Sequence, residues 1–256
     1  QFSAATDATQ LEQAILNWEE LSAAIAEEGS KRYIAMTCQT EDKTAEQTYL
    51  DFVEKIEPEE KTSSFRLAKS LTGHSHRDGL PAGRYEVLTR DAALEVELFR
   101  PENVPLETEK AKLGQQYQKL IGGLAVQFDG KEQPLVQMGR YLEETDRARR
   151  REAWELVAYR RREEAETIDA QLDDLAKRRI QMSDNAGFPN YRDFAHRRKG
   201  RFDYTPDDCL AFHDAIEQEM VPLLTELHDE RRAALGVESV RPWDTATDPH
   251  GRPPLK

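Results

Sequence analysis

The stretch Thr145–Asn185 constrains the fold of this chain most. It contains no Gly and no Pro, so no residue in it breaks a helix. Trp154, Val157, Ala165, Ile168, Leu172, Leu175 and Met182 recur at steps of three and four, or sums of them. That spacing draws one apolar stripe along a helix, with Arg161 and Arg179 lying along it by their alkyl stems. Thr145 or Asp146 can cap the start, and Gly187 with Pro189 can stop the end. A single helix over this stretch would span roughly 60 Å at about 1.5 Å per residue. A rod that long needs other helices along it, so the expected fold class is all-α.

The rest of the chain fits that expectation. Leu11, Ile15, Trp18, Leu21 and Ile25 predict one or two helices over 7–37, with Asp7 as N-cap and Gly29-Ser30 as a break. A further amphipathic helix is expected over 41–56, with Pro58 ending it or starting the next, which runs over 59–72. LTGHSHRDGLPAG reads as a loop, and helices follow over 84–99 and 106–121. Leu124 to Phe128 is strand-like, and Asp129-Gly130 then supplies a type I′ turn, so a small β-hairpin is predicted near 123–134. Leu135–Leu142 returns to helical pattern, and Asn190–Lys199 makes a short helix. Thr205, Pro206 and two acids then open a helix that Gly236 closes and Pro222 interrupts. The expected division is a helical region over 1–105 and a second over 106–256.

Charge and composition exclude several classes. The 256 residues carry a net charge of −13, which disfavours a nucleic-acid partner. Arginine-rich runs occur at 149–151, 160–162 and 197–199, yet residues 144–201 hold 15 Lys and Arg against 12 Asp and Glu. Mixed charge on helix faces accounts for them. No apolar run approaches the ~20 residues needed to cross a bilayer. Cys38 and Cys209 suggest no disulfide framework, and a cytoplasmic location is the default. The chain begins at Gln1, carries no visible signal peptide, and ends on GRPPLK, which is unlike a finished C-terminus; the expectation is a piece of a longer protein.

Candidate chemistry is sparse. His213 and Glu217 stand at i and i+4 on one helix face and could ligate a metal, but no His-Glu-x-x-His occurs in the chain. His74-Ser75-His76 lies in the Gly-rich loop, where a solvated turn is the simpler account. Cys209 sits early in a helix, but Asp207 and Asp208 oppose a thiolate there. There is no phosphate-binding Gly-rich loop and no Gly-x-Ser-x-Gly elbow. No catalytic, cofactor-binding or metal residue is assigned within residues 1–256.

From about Leu106 onward the chain resembles the M3 family of zinc metallopeptidases, especially oligoendopeptidase F-like enzymes. The segments that carry the resemblance stand in the family's order. They are Gly122–Tyr141 (GGLAVQFDGKEQPLVQMGRY), Thr145–Trp154 with Asp146-Arg147, Arg151 and Ala153, and Asn185–Phe194 (NAGFPNYRDF). Tyr204–Leu224 with Val221-Pro222-Leu223 follows, then Leu235-Gly236 and Arg241-Pro242-Trp243-Asp244. Residues 1–105 resemble the family's helical N-terminal region in style. The resemblance implies the N-terminal lobe of a two-lobed, deep-channel enzyme that cleaves short peptides. It implies a zinc held by His-Glu-x-x-His and a downstream Glu, all beyond this chain, with the motif's Glu as base. The partners implied are short peptides and a C-terminal catalytic half, with no membrane and no nucleic acid. The rival expectation is a non-enzymatic helical scaffold or protein-interaction module.

Overall fold

The computed structural model describes residues 2–252; the expectation drawn from GRPPLK rests mostly on residues 253–256, outside the described ones. Nine α-helices and one antiparallel hairpin make up the regular structure among the described residues, so the fold is all-α with a small β element, as expected. The chain divides into two compact units, residues 1–119 with 172–203, and residues 120–171 with 204–256.

In the first unit, α1 (Ala8–Cys38), α3 (Glu57–Thr72) and α4 (Ala82–Leu98) pack through Leu11, Ile15, Ala68, Leu71, Tyr85 and Ala92, and α2 (Lys43–Asp51) follows α1. Asp7 caps α1 by accepting the Gln10 amide at 2.8 Å. A second cluster joins α4 to α5 (Asn103–Gly122), to α7 (Ala165–Asn185) and to α8 (Tyr191–Arg198). Leu94, Leu98, Leu106, Met182, Ala186 and Phe194 form it. Inside it the Asn103 side-chain amide donates to the Met182 carbonyl at 3.0 Å and accepts from Asn185 at 2.8 Å, so both its nitrogen and its oxygen have a partner.

One local expectation changes here and one pair of alternatives is decided. Gly29-Ser30 does not break α1, which runs unbroken through both residues. A Cβ on Gly29 would stand 2.8 and 2.9 Å from two ring carbons of the buried Phe52, so this glycine serves close helix approach rather than a turn. Gly29→Ala is therefore expected to lower stability by about 1–2 kcal/mol, the overpacking cost outweighing alanine's better helix propensity. A thermal melt measures it; an unchanged or raised midpoint would show that the ring yields freely. Second, the link from α2 to α3 is a π-helical turn, Phe52–Ile56, in which the Glu57 amide bonds back to the Phe52 carbonyl. Pro58 starts α3 rather than ending a helix; it has no N–H to donate, and the widened turn before it accommodates that.

The second unit is built on the hairpin. β1 (Ala125–Phe128) pairs with β2 (Lys131–Pro134) in the register Phe128↔Lys131 to Ala125↔Pro134. Asp129 and Gly130 both take positive φ, 55° and 70°, as a type I′ turn requires. Val126 and Phe128 face a core with Leu124, Leu135, Met138 and Tyr141, against Ala153 of α6 (Arg147–Glu163). Residues 135–143 form a 3-10 helix.

The stretch expected as one rod is two helices, α6 and α7, separated at Glu164. The Glu164 amide bonds to the Arg161 carbonyl at 3.2 Å, a tightened last turn. Residues 160–164 are Arg-Arg-Arg-Glu-Glu, so the apolar stripe has no hydrophobic member at the join. Arg160 instead pairs with Glu163 at 3.1 Å and Glu164 at 2.9 Å.

Candidate functional site

The candidate surface with the plainest geometry is α9 (Pro206–Leu235), in the second unit. Its ends are fixed. Thr205 and Asp208 form a reciprocal capping box, and Gly236 closes the helix in the left-handed region at φ 63°. Near the C-terminal end, the Arg231 guanidinium donates to the carbonyls of Asp244 and Thr247 at 3.1 and 2.8 Å. Between those ends no α9 residue is buried. Phe212, Ile216, Met220, Leu223 and Leu227 follow one another at steps of four, four, three and four, so they share one face. They are 39–64% exposed, flanked by Leu210, Val221 and Leu224. An apolar stripe this long marks an interaction surface.

The same unit holds a buried ion network that positions the end of α9 against the start of α6. Asp244 is fully buried. Its carboxylate accepts from Arg147 at 3.0 and 2.8 Å, from Arg150 at 3.0 Å, and from the Arg241 amide at 2.9 Å. Arg150, itself buried, also donates to the carbonyls of Trp243, Glu144 and Thr145 at 2.9, 3.0 and 2.9 Å. Trp154 meets Trp243 edge-to-face at 5.5 Å. Burial pushes the Asp244 carboxyl upward, but the bonds from Arg147, Arg241 and Arg150 outweigh it and hold the pKa at about 2.

The residues singled out in the sequence do not converge. His213, Glu217 and His228 are exposed on α9, and Cys209 is half-exposed at its start. The His74 Nε2 faces the Phe2 carbonyl at 3.1 Å, and its Nδ1 accepts the His76 amide at 3.2 Å, so both ring nitrogens serve the loop. Among the described residues, no three His, Cys, Asp or Glu gather as a metal would need, so these side chains do not fit a resident zinc. The arginine runs largely face acids. Arg149 pairs with Asp129 and Glu144, Arg151 with Glu155, Arg197 with Glu97 and Arg198 with Glu107. No described helix is long and apolar enough to cross a membrane.

Sequence reading missed two features. The α9 stripe was legible in its three-and-four spacing, but only the structure shows that nothing covers it. The burial of Arg150 had no local signal, because it stands between two exposed-looking arginines in one run.

An all-α fold with one small hairpin and a long exposed helix can be compared with known proteins. The model of the peptidase family M3 N-terminal domain matches residues 1–99, and the peptidase family M3 model matches residues 140–248. The chain belongs to peptidase family M3. Within it, the fold is that of oligoendopeptidase F structures. PZ peptidase A, solved with an inhibitor, is similar at 28% identity and a TM-score of 0.93, over 98% of this chain and 45% of that one. A structure assigned to oligoendopeptidase F is similar at 25% identity and a TM-score of 0.91, over 98% of this chain and 45% of that one. Another, from Bacillus anthracis str. Ames, shares the fold at 24% identity and a TM-score of 0.92, over 98% of this chain and 46% of that one. The chain thus spans somewhat less than half the length of these structures. No curated protein sequence matches it.

Proposed function

We propose that this chain is the N-terminal scaffold and channel wall of a zinc-dependent oligoendopeptidase that hydrolyses short peptides in the cytoplasm. The observation that carries this reading is the pair of M3 models matched in family order over residues 1–99 and 140–248. The zinc ligands belong, in this reading, to sequence outside residues 1–256. When bound there, the metal would supply the acidified water for hydrolysis. This chain's own share is to hold the helices that shape the peptide's path and to offer the α9 face to the catalytic half.

The test is a peptidase assay on the protein with its downstream sequence, alongside residues 1–256 alone. Short fluorogenic peptides should be cleaved by the longer protein only, with at least about 100-fold loss on chelation and recovery on adding zinc. Cleavage that chelators leave untouched would remove the zinc reading.

A second reading draws on the same α9 stripe: a helical module that docks another protein and has no enzymatic role. A native protein whose intact mass ends at Lys256 would establish it, and a mass extending into a His-Glu-x-x-His sequence would end it.

A further inference from the structure

Three cavities of the first unit adjoin. One, of about 630 Å³, lies between α1 and the α2–α3 segment and is walled by Tyr33, Ile34, Tyr49 and Phe52. Another, of about 430 Å³, lies among α4, α5 and α8 and is walled by Leu94, Leu98, Phe99 and Phe194. The third, of about 260 Å³, is walled by Trp18, Leu67 and Leu88. Lys61 lines the first and second, Ser22 the first and third, and Glu95 the second and third. They make one branched groove, with Lys61, Asp91 and Glu95 on walls shared between branches and Glu60, which lines the first, close to Glu95.

Charge at that junction is lopsided. Three of the four cations that line the cavities, Lys61, Arg100 and Arg198, have acceptors already. Lys61 is held by Glu57 at 3.1 Å and Glu107 at 2.9 Å, and Glu107 also takes Arg198 at 2.5 Å. Arg100 donates to the carbonyls of Glu97, Phe99, Asn185 and Ala186. Lys199 is exposed at the end of α8. The acids are less well served. Glu60 accepts the Ser64 hydroxyl at 2.9 Å, and among the described residues neither Glu60 nor Glu95 has a cation within ion-pair distance. Glu95 is half-buried, and its burial, then the nearby Glu60 carboxylate, push its pKa up. A cation arriving in this groove would relieve both effects; an anion would add to them.

We propose that this groove binds an extended peptide, with an apolar side chain in the Tyr33–Tyr49–Phe52 branch and a lysine or arginine side chain at Glu95 and Glu60. That the bound peptide is a substrate rests on the peptidase reading; that it binds here does not. Aromatic walls with a few convergent polar groups suit such a ligand, and the unpaired acids select its charge.

Calorimetric titration of the full 256-residue chain with three peptides tests this. They are acetylated, amidated Ala-Leu-Xaa-Leu-Ala with Xaa as Lys, norleucine or Glu, which removes the terminal charges and varies only the central one. The Lys peptide is expected to bind about tenfold tighter than the norleucine peptide, and the Glu peptide weakest. Glu95→Gln should erase the Lys advantage and leave norleucine affinity in place, and Glu60→Gln should reduce it; Tyr49→Ala should weaken all three peptides alike. Circular dichroism confirms folding, and because Glu95 has no partner to lose, its Gln variant should melt no lower than the parent. Equal affinity for Lys and norleucine, a Lys advantage that survives Glu95→Gln, or no binding of any peptide overturns the proposal. The two readings fail separately. If the Lys and norleucine peptides bind equally but the longer protein cleaves peptides, the groove assignment falls and the peptidase stands. If the Lys preference in binding holds but no peptide is cleaved, the peptidase reading falls and the groove stands.

Discussion

Replacing Asp244 by Asn is expected to destabilise the unit of residues 120–171 and 204–256 by about 3–5 kcal/mol, more than any surface change in it. The carboxylate lies fully buried between two guanidiniums and a backbone amide, and every one of those groups donates. An asparagine in its place would turn an NH2 toward Arg147 or the Arg241 amide and leave the charge of buried Arg150 without a counter-ion. Arg150→Met should cost less. Asp244 would keep Arg147 and the Arg241 amide, and the losses would be the Arg150 bond to Asp244 and those to the Glu144, Thr145 and Trp243 carbonyls. Urea unfolding followed by tryptophan fluorescence in a Trp18→Phe background reads the effect locally, because Trp154 and Trp243 touch in this network. The pH dependence has a definite sign. The folded carboxyl titrates at about 2, below its ordinary 3.8, so its contribution is complete above pH 3.8 and is lost as pH falls through about 2. The gap between parent and Asp244→Asn should therefore hold from pH 7 to about 4 and narrow below it. A gap that narrows near neutrality, or an Asn variant within about 0.5 kcal/mol of the parent, would mean that the pair is not what joins α6 to the C-terminal segment.

The contrast between Arg150 and the hairpin shows which parts of this fold are written locally. Asp129-Gly130 encodes its turn in two residues, since both must take positive φ, and the alternation before it sets the register. Thr205-Pro206 with Asp208 encodes a helix start in four, and the structure puts the cap there. These signals act within one turn of chain, so sequence alone reveals them. The join at Glu164 is different: no breaker residue marks it, and it is legible only as five charged residues where the apolar stripe should continue. Gly29 carries the wrong local message, reading as a break when its role is to admit a ring from Phe52 on another element. Arg150 carries none, because its burial depends on Asp244, 94 residues away. The groove behind the further inference is of this last kind: Glu60 and Glu95 come from different helices, and no spacing in the chain announces that they are near one another.

Ile216→Glu with Leu223→Glu on α9 is expected to leave the melting of the 256-residue chain within about 0.5 kcal/mol of the parent, since both positions face solvent. In the protein carrying its downstream half, the same pair should lower peptide hydrolysis by at least about 100-fold. Each buried Ile or Leu is worth about 1.5–3 kcal/mol, so two lost contacts amount to about 3–6 kcal/mol, and the introduced carboxylates add a desolvation cost. Ile216 and Leu223 are seven residues apart, two helical turns, so both changes fall on the same face as Phe212, Met220 and Leu227. A matched control, Gln218→Glu with Thr225→Glu, has the same spacing and adds the same two carboxylates on the opposite, exposed face of α9, and should leave hydrolysis within about twofold. The comparison separates three accounts of the stripe. If the longer protein loses hydrolysis and the shorter chain keeps its stability, the catalytic half covers this face. If the shorter chain itself melts earlier, the face is already packed within residues 1–256. If neither changes, the stripe belongs to a separate partner, and the interaction-module reading gains what the scaffold reading loses.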